Sequence, residues 1–117
     1  LEGGLASDTV EKITLEDGGY LPVTEELFAE DALIIENRQT QEVSLCDSEK
    51  VPCLTVKFDA PLFGVWSPVG KNAPFICIEP WYGRCDSVRF DGSFEEREWG
   101  SELLPNTSFQ TAYTVSV

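Results

Sequence analysis

The 117-residue chain contains no histidine and no methionine. The first absence removes the side chain most used for proton transfer near neutral pH, and with it any histidine-activated serine nucleophile within this chain. The second sits badly with a natural reading frame opening at Leu1, so an upstream segment is expected to have been cut away or left out. Bases are scarce too: 8 Lys and Arg face 21 Asp and Glu, a net charge of −13. That balance opposes nucleic-acid binding, which rests on neutralising phosphates, and docking on anionic membranes; it reads as a solubilising acidic surface. No run approaches the roughly 20 apolar residues of a membrane helix. The start, Leu1-Glu-Gly-Gly-Leu-Ala-Ser, lacks the basic region and long apolar core of a secretory leader, so a cytoplasmic protein is expected. The cysteines, Cys46, Cys53, Cys77 and Cys85, have six, 23 and seven residues between them and form no C-x-x-C. No metal site is expected from that spacing. Reduced thiols are expected, although spacing alone leaves one bridge open.

What is present points to a folded β-protein. Hydrophobic residues make up 42% and aromatics 11% of the chain, too apolar for disorder. Period-two alternation dominates, with turn residues at intervals of about eight to twelve, the pattern of an antiparallel β-sandwich. Strands are expected over Val10–Leu15, Ala32–Glu36, Glu42–Cys46, Leu54–Phe58, Leu62–Trp66, Phe75–Ile78 and Ser108–Val117. The second pair of these, Glu42–Cys46 and Leu54–Phe58, reads as a hairpin. Asp17-Gly18-Gly19 is a turn, and Thr24 caps one short helical turn through Phe28. Residues 67–72 read as a loop, and Asp86–Leu104 as a long surface connection. A single all-β domain, or a piece of one, covers residues 1–117.

The chemistry concentrates in Phe75-Ile-Cys-Ile-Glu-Pro-Trp-Tyr-Gly-Arg-Cys-Asp86. On a strand, Phe75, Cys77, Glu79 and Trp81 share one face, with Ile76 and Ile78 on the other. Glu79 then sits among apolar neighbours, where desolvation favours the neutral acid and prepares a general base. Pro80 has no N–H for a ladder, so the strand ends there or lies at an edge. An acid followed at once by Trp81 and Tyr82 suits a sugar, whose C–H faces stack on rings while its hydroxyls donate to carboxylates. The plainer reading is a surface acid beside core aromatics. Asp86, Asp91, Glu95, Glu96 and Glu98 read as a solvated loop or, less in keeping with their spacing, a calcium loop. Arg84 either partners Asp86 or holds a phosphate. Trp66 and Cys77 read as core, and Trp99 is left undecided.

The string from Phe75 to Gly83 resembles the aldose 1-epimerase (galactose mutarotase-like) superfamily, in particular a bacterial branch associated with lactose operons. Thr24-Glu-Glu-Leu-Phe-Ala-Glu-Asp-Ala-Leu-Ile-Ile-Glu-Asn37 and Leu62-Phe-Gly-Val-Trp-Ser67 resemble further segments of that branch in order and spacing. The likeness runs from about Asp17 to the end, with residues 62–86 the most specific. It implies part of a large supersandwich, its C-terminal portion, that interconverts the α and β anomers of an aldose without any cofactor. In that family a Glu takes the anomeric hydroxyl proton while a His protonates the ring oxygen. By motif position Glu79 matches the base, Asp31 an acid that contacts sugar hydroxyls, and Trp81 and Tyr82 the pocket rim. The missing histidine departs from the pattern. It implies an acid supplied from outside this chain, and a missing N-terminal part or a homodimer partner to complete the fold. A non-catalytic carbohydrate-binding sandwich is the alternative.

Overall fold

A computed structural model describes residues 1–71 and 73–117; Asn72, at the end of the expected 67–72 loop, lies outside them. Among the described residues six strands follow in order: β1 (Leu33–Ile35), β2 (Glu42–Cys46), β3 (Pro52–Phe58), β4 (Leu62–Trp66), β5 (Cys77–Trp81) and β6 (Tyr113–Ser116). They form two antiparallel three-stranded sheets, β1-β4-β5 and β2-β3-β6. The expected all-β, antiparallel architecture is what the chain adopts. Between β5 and β6 runs the long connection, with one 3₁₀ turn at Phe94–Glu96 closed by a reciprocal Ser93–Glu96 capping box.

Most strands fall where alternation places them, and the β2–β3 hairpin pairs as expected. The short helical turn is a 3₁₀ segment, Glu26–Phe28, and the Thr24 hydroxyl accepts from the Leu27 amide at 3.3 Å. Two expectations are corrected. Residues 10–15 form no strand: Val10 is 94% exposed, and no neighbouring strand supplies the partners its amides would need. The turn that follows does form, with the Glu16 amide donating to Tyr20 at 2.8 Å and both glycines at positive φ. The strand expected at Phe75–Ile78 instead runs Cys77–Trp81, so Pro80 lies within it rather than closing it. Because β5 is an edge strand, the proline nitrogen can face outward without breaking the ladder to β4.

The two sheets pack through one face each. Val56 and Phe58 from β3, Ala60 from the crossing loop and Phe63 from β4 make the buried cluster, flanked by Ile35, Val43, Leu54, Val65, Ile78 and Tyr82. Phe58 and Phe63 meet across the layer at 5.2 Å between ring centroids. On its outer face the second sheet is wet: Ser44 and Thr55 hydroxyls hydrogen-bond at 2.7 Å and Lys57 pairs with Glu42 at 2.9 Å. The N-terminal segment is stitched to the long connection by Ala6, whose amide donates to Asp86 and whose carbonyl accepts from Val88.

The chain is loosely filled for its size. A compact monomer of 13.0 kDa exposes about 6,300 Å², whereas this one exposes 8738 Å². Its radius of gyration, 15.9 Å, likewise exceeds the roughly 13.4 Å of a compact domain of this length.

Candidate functional site

Cys77, Glu79 and Trp81 alternate onto the face of the first sheet turned away from the buried cluster, as strand periodicity requires. Across the ladder they oppose Trp66, Gly64 and Leu62 of β4, and Gly64 in turn opposes Ile34 of β1. Glu79 is half-buried there. Its Oε2 accepts a hydrogen bond from the Trp81 indole Nε1 at 3.0 Å, which fixes the carboxylate's direction and leaves Oε1 as its second acceptor. The indole lies over Gly64 so closely that a Cβ there would stand 2.8 Å from its ring. A residue without a side chain on β4 therefore makes room for the ring that aims the acid on β5.

Next along β5, burial pushes the Cys77 thiol up, and the charge and hydrogen-bonding of Glu79 push it further. The thiol accordingly stays protonated near neutral pH and does not compete with the carboxylate as a base. Cys77 is half-buried on the site face and takes no part in the inter-sheet cluster, which corrects the core reading. Trp66, half-buried on that same face, tilts against Phe75 at 6.3 Å.

The remaining expected residues lie apart. Tyr82 alternates to the inter-sheet side: its hydroxyl donates to the Asp59 carbonyl at 3.0 Å and its ring meets Phe109 edge-on at 5.2 Å. With Trp99, Arg38 and Thr111 it lines a different, open cleft of about 610 Å³. Asp31 stands exposed at the entrance to β1, at φ 86°, its Oδ1 accepting from the Ala32 amide at 2.8 Å. It lies three residues ahead of Ile34, the β1 residue in register with Gly64 and Glu79, or about 10 Å along the strand direction.

Arg84 does not partner Asp86. Its side chain, 7% exposed, grips Glu36 at the end of β1 and Glu98 in the long connection, while Asp86 pairs with Arg97 at 2.6 Å. Burial works against the charge, but the hydrogen bonds that the guanidinium donates to Glu36 and Glu98, with their negative charges, outweigh it and hold it above the ordinary arginine range. Both lobes of that grip lie far away in sequence, which is why local spacing pointed to Asp86 instead. Three acids of the expected loop are thus engaged by protein groups: Asp86, Glu98 and the capping Glu96.

No family model matches the chain. Protein LacX of Lactococcus lactis subsp. lactis, in plasmid and chromosomal forms, is 28% identical over 104 residues, which are 88% of this chain and 34% of the relative. The X-ray structure of a galactose mutarotase related enzyme from Lactobacillus acidophilus superposes with a TM-score of 0.70 at 33% identity, over 82% of this chain and 33% of that one. The chain is thus similar to galactose mutarotase-like proteins. It spans about a third of the length of the relatives it matches. Its two sheets are a mutarotase-like β-sandwich fold, and no helix among the described residues is long and apolar enough to cross a membrane.

Proposed function

We propose that this chain supplies the base-bearing part of an aldose 1-epimerase-type isomerase, with Glu79 as the general base. The observation that carries this is the half-buried Glu79 carboxylate, oriented by the Trp81 indole on a sheet face outside the buried cluster. A carboxylate so held can take the proton of an anomeric hydroxyl. The ring then opens as a second group protonates the ring oxygen, the C1–C2 bond rotates, and the ring closes on the other face of the carbonyl. That second group is a histidine from elsewhere in the longer protein, since this chain has none. The face of Trp81 offers stacking to the sugar, with Asp31 reaching its hydroxyls from the entrance to β1; Tyr82, on the other side of the sheet, takes no part in this rim. The reaction is a pair of proton transfers and takes no cofactor.

The substrate is an aldose, and the setting is cytoplasmic carbohydrate metabolism. The surface in excess of a compact monomer, about 2,400 Å², is what one partner contributes to a large, obligate interface. It supports cover by the remainder of the protein, or by a second copy. Neither nucleic acid nor membrane is a partner at a net charge of −13. The missing histidine favours one rival reading, a sandwich that binds carbohydrate without turning it over.

Polarimetry on the full-length protein separates the two. Glu79→Gln is expected to lower accelerated mutarotation by about 10²–10⁴-fold while sugar binding stays measurable, and the isolated 117-residue chain to show little acceleration. Unchanged turnover in the variant rules out Glu79 as the base. A full-length wild type that binds sugar without accelerating its mutarotation establishes the binding module.

A further inference from the structure

We propose that Cys46 and Cys53 form a paired thiol site, which a low-molecular-weight disulfide oxidises to a bridge across the β2–β3 hairpin. Sequence spacing leaves the pairing of four cysteines open; strand register closes it. Leu45 pairs with Leu54, the register then shifts, and Cys46 pairs with Pro52. Cys53 is therefore the extra residue of a β-bulge, and Cys46 faces it and Pro52 together.

Both thiols lie on the wet face of the second sheet. Ser44 and Thr55 meet there through their hydroxyls at 2.7 Å, Cys46 lies two residues beyond Ser44, and Cys53 two residues before Thr55. The register partner of Cys46 is Pro52, with Cα atoms about 4.5–5.5 Å apart in such a pair. Cys53 is the neighbouring bulge residue that opposes the same Cys46, which puts the two cysteines near the roughly 4.4–6.8 Å that a disulfide spans. Rotation of two side chains then suffices, with little backbone movement. Access is also in place: Cys53 is exposed, its Sγ 3.7 Å from the Val51 carbonyl, and Cys46 is half-buried. Cys77, on β5 of the other sheet, and Cys85, past the end of β5, serve as internal controls.

The chemistry balances as two exchanges. The Cys53 thiolate attacks one sulfur of the reagent; the reagent's S–S bond breaks, a mixed disulfide forms, and one small thiol leaves, taking up the proton that Cys53 gave to solvent. The Cys46 thiolate then attacks the Cys53 sulfur and expels the second small thiol, which takes up the proton lost by Cys46. The protein loses two electrons and the reagent gains them. The bridge closes the loop that carries Lys50, whose ammonium pairs with Glu16 at 3.0 Å and lies 4.6 Å from the centre of the Tyr20 ring. Oxidation thus stiffens the anchor of the Glu16–Tyr20 turn.

Incubation of the folded chain with glutathione disulfide, followed by non-reducing peptide mapping, tests this. Two of the four titratable thiols are expected to disappear, with one linked peptide joining Cys46 to Cys53 within a single chain. Cys46→Ser is expected to stop at a glutathione adduct on Cys53, and Cys53→Ser to yield no bridge. The wild-type map decides even if either variant folds poorly. A stable glutathione adduct on the wild type, a link to Cys77 or Cys85, or a link between chains overturns the proposal.

Discussion

The two sheets are built from similar numbers of residues yet do different work. The second, β2-β3-β6, has a dry face on the cluster and a wet face of Ser44, Thr55, Glu42 and Lys57, and its last strand, β6, is exposed throughout. The first, β1-β4-β5, has its share of the inter-sheet cluster on one face and the half-buried Glu79, Trp81 and Cys77, beside the fully buried Leu62, on the other. A sheet with one wet face needs only to be stable. A sheet with two partly dry faces has a second surface on which a carboxylate can be held out of bulk water.

Three substitutions sharpen or break that contrast. The largest effect is expected where the sheets depend on each other. Phe63→Ala removes the ring that meets Phe58 and is expected to cost about 3–5 kcal/mol, a large share of a small domain's stability, read from urea denaturation. A loss below about 1 kcal/mol would mean that the sheets fold independently. Gly64→Ala acts on the first sheet alone. Its Cβ drives the Trp81 ring aside, an overpacking cost of about 1–3 kcal/mol, and swings the indole off Glu79. Turnover of the full-length protein is expected to fall by roughly 10²-fold, as for a misplaced catalytic group. Retained turnover would show that the indole does not aim the carboxylate. Smallest is Ser44→Ala on the wet face, where loss of one exposed hydroxyl pair is expected to cost about 0.5 kcal/mol by the same denaturation assay.

The same contrast governs what could be read before any coordinates. β2 and β3 alternate because water lies on one side of them, so the bounds of β2 and the hairpin pairing were legible. β3, by contrast, begins at Pro52, two residues earlier than expected, across a bulge that alternation does not show. The facing of Cys77, Glu79 and Trp81 was legible too, because period two is insensitive to where a strand starts. Its bounds were not: Pro80 stops a central strand but is tolerated at an edge, and edge position is a property of topology. Residues 10–15 carry the β-branched Val10, Ile13 and Thr14, but only Ile13 and Leu15 alternate strictly, and a strand exists only with a neighbour, which the local sequence cannot supply. Tyr82 was grouped with Trp81 by adjacency, and alternation sends the two to opposite sides. The Glu36–Arg84 pair joins residues 48 positions apart, beyond any local signal.

That enclosed guanidinium also divides the molecule's ion pairs by their response to ionic strength. Lys57–Glu42 and Lys50–Glu16 stand about half in solvent, where added electrolyte shortens the reach of charge to about 8 Å at physiological levels and less above it. Arg84 is sheltered from that ion atmosphere. In brine the outer pairs fade first, then the arm to the exposed Glu98, while the segment leaving β5 stays clasped to Glu36 at the end of β1.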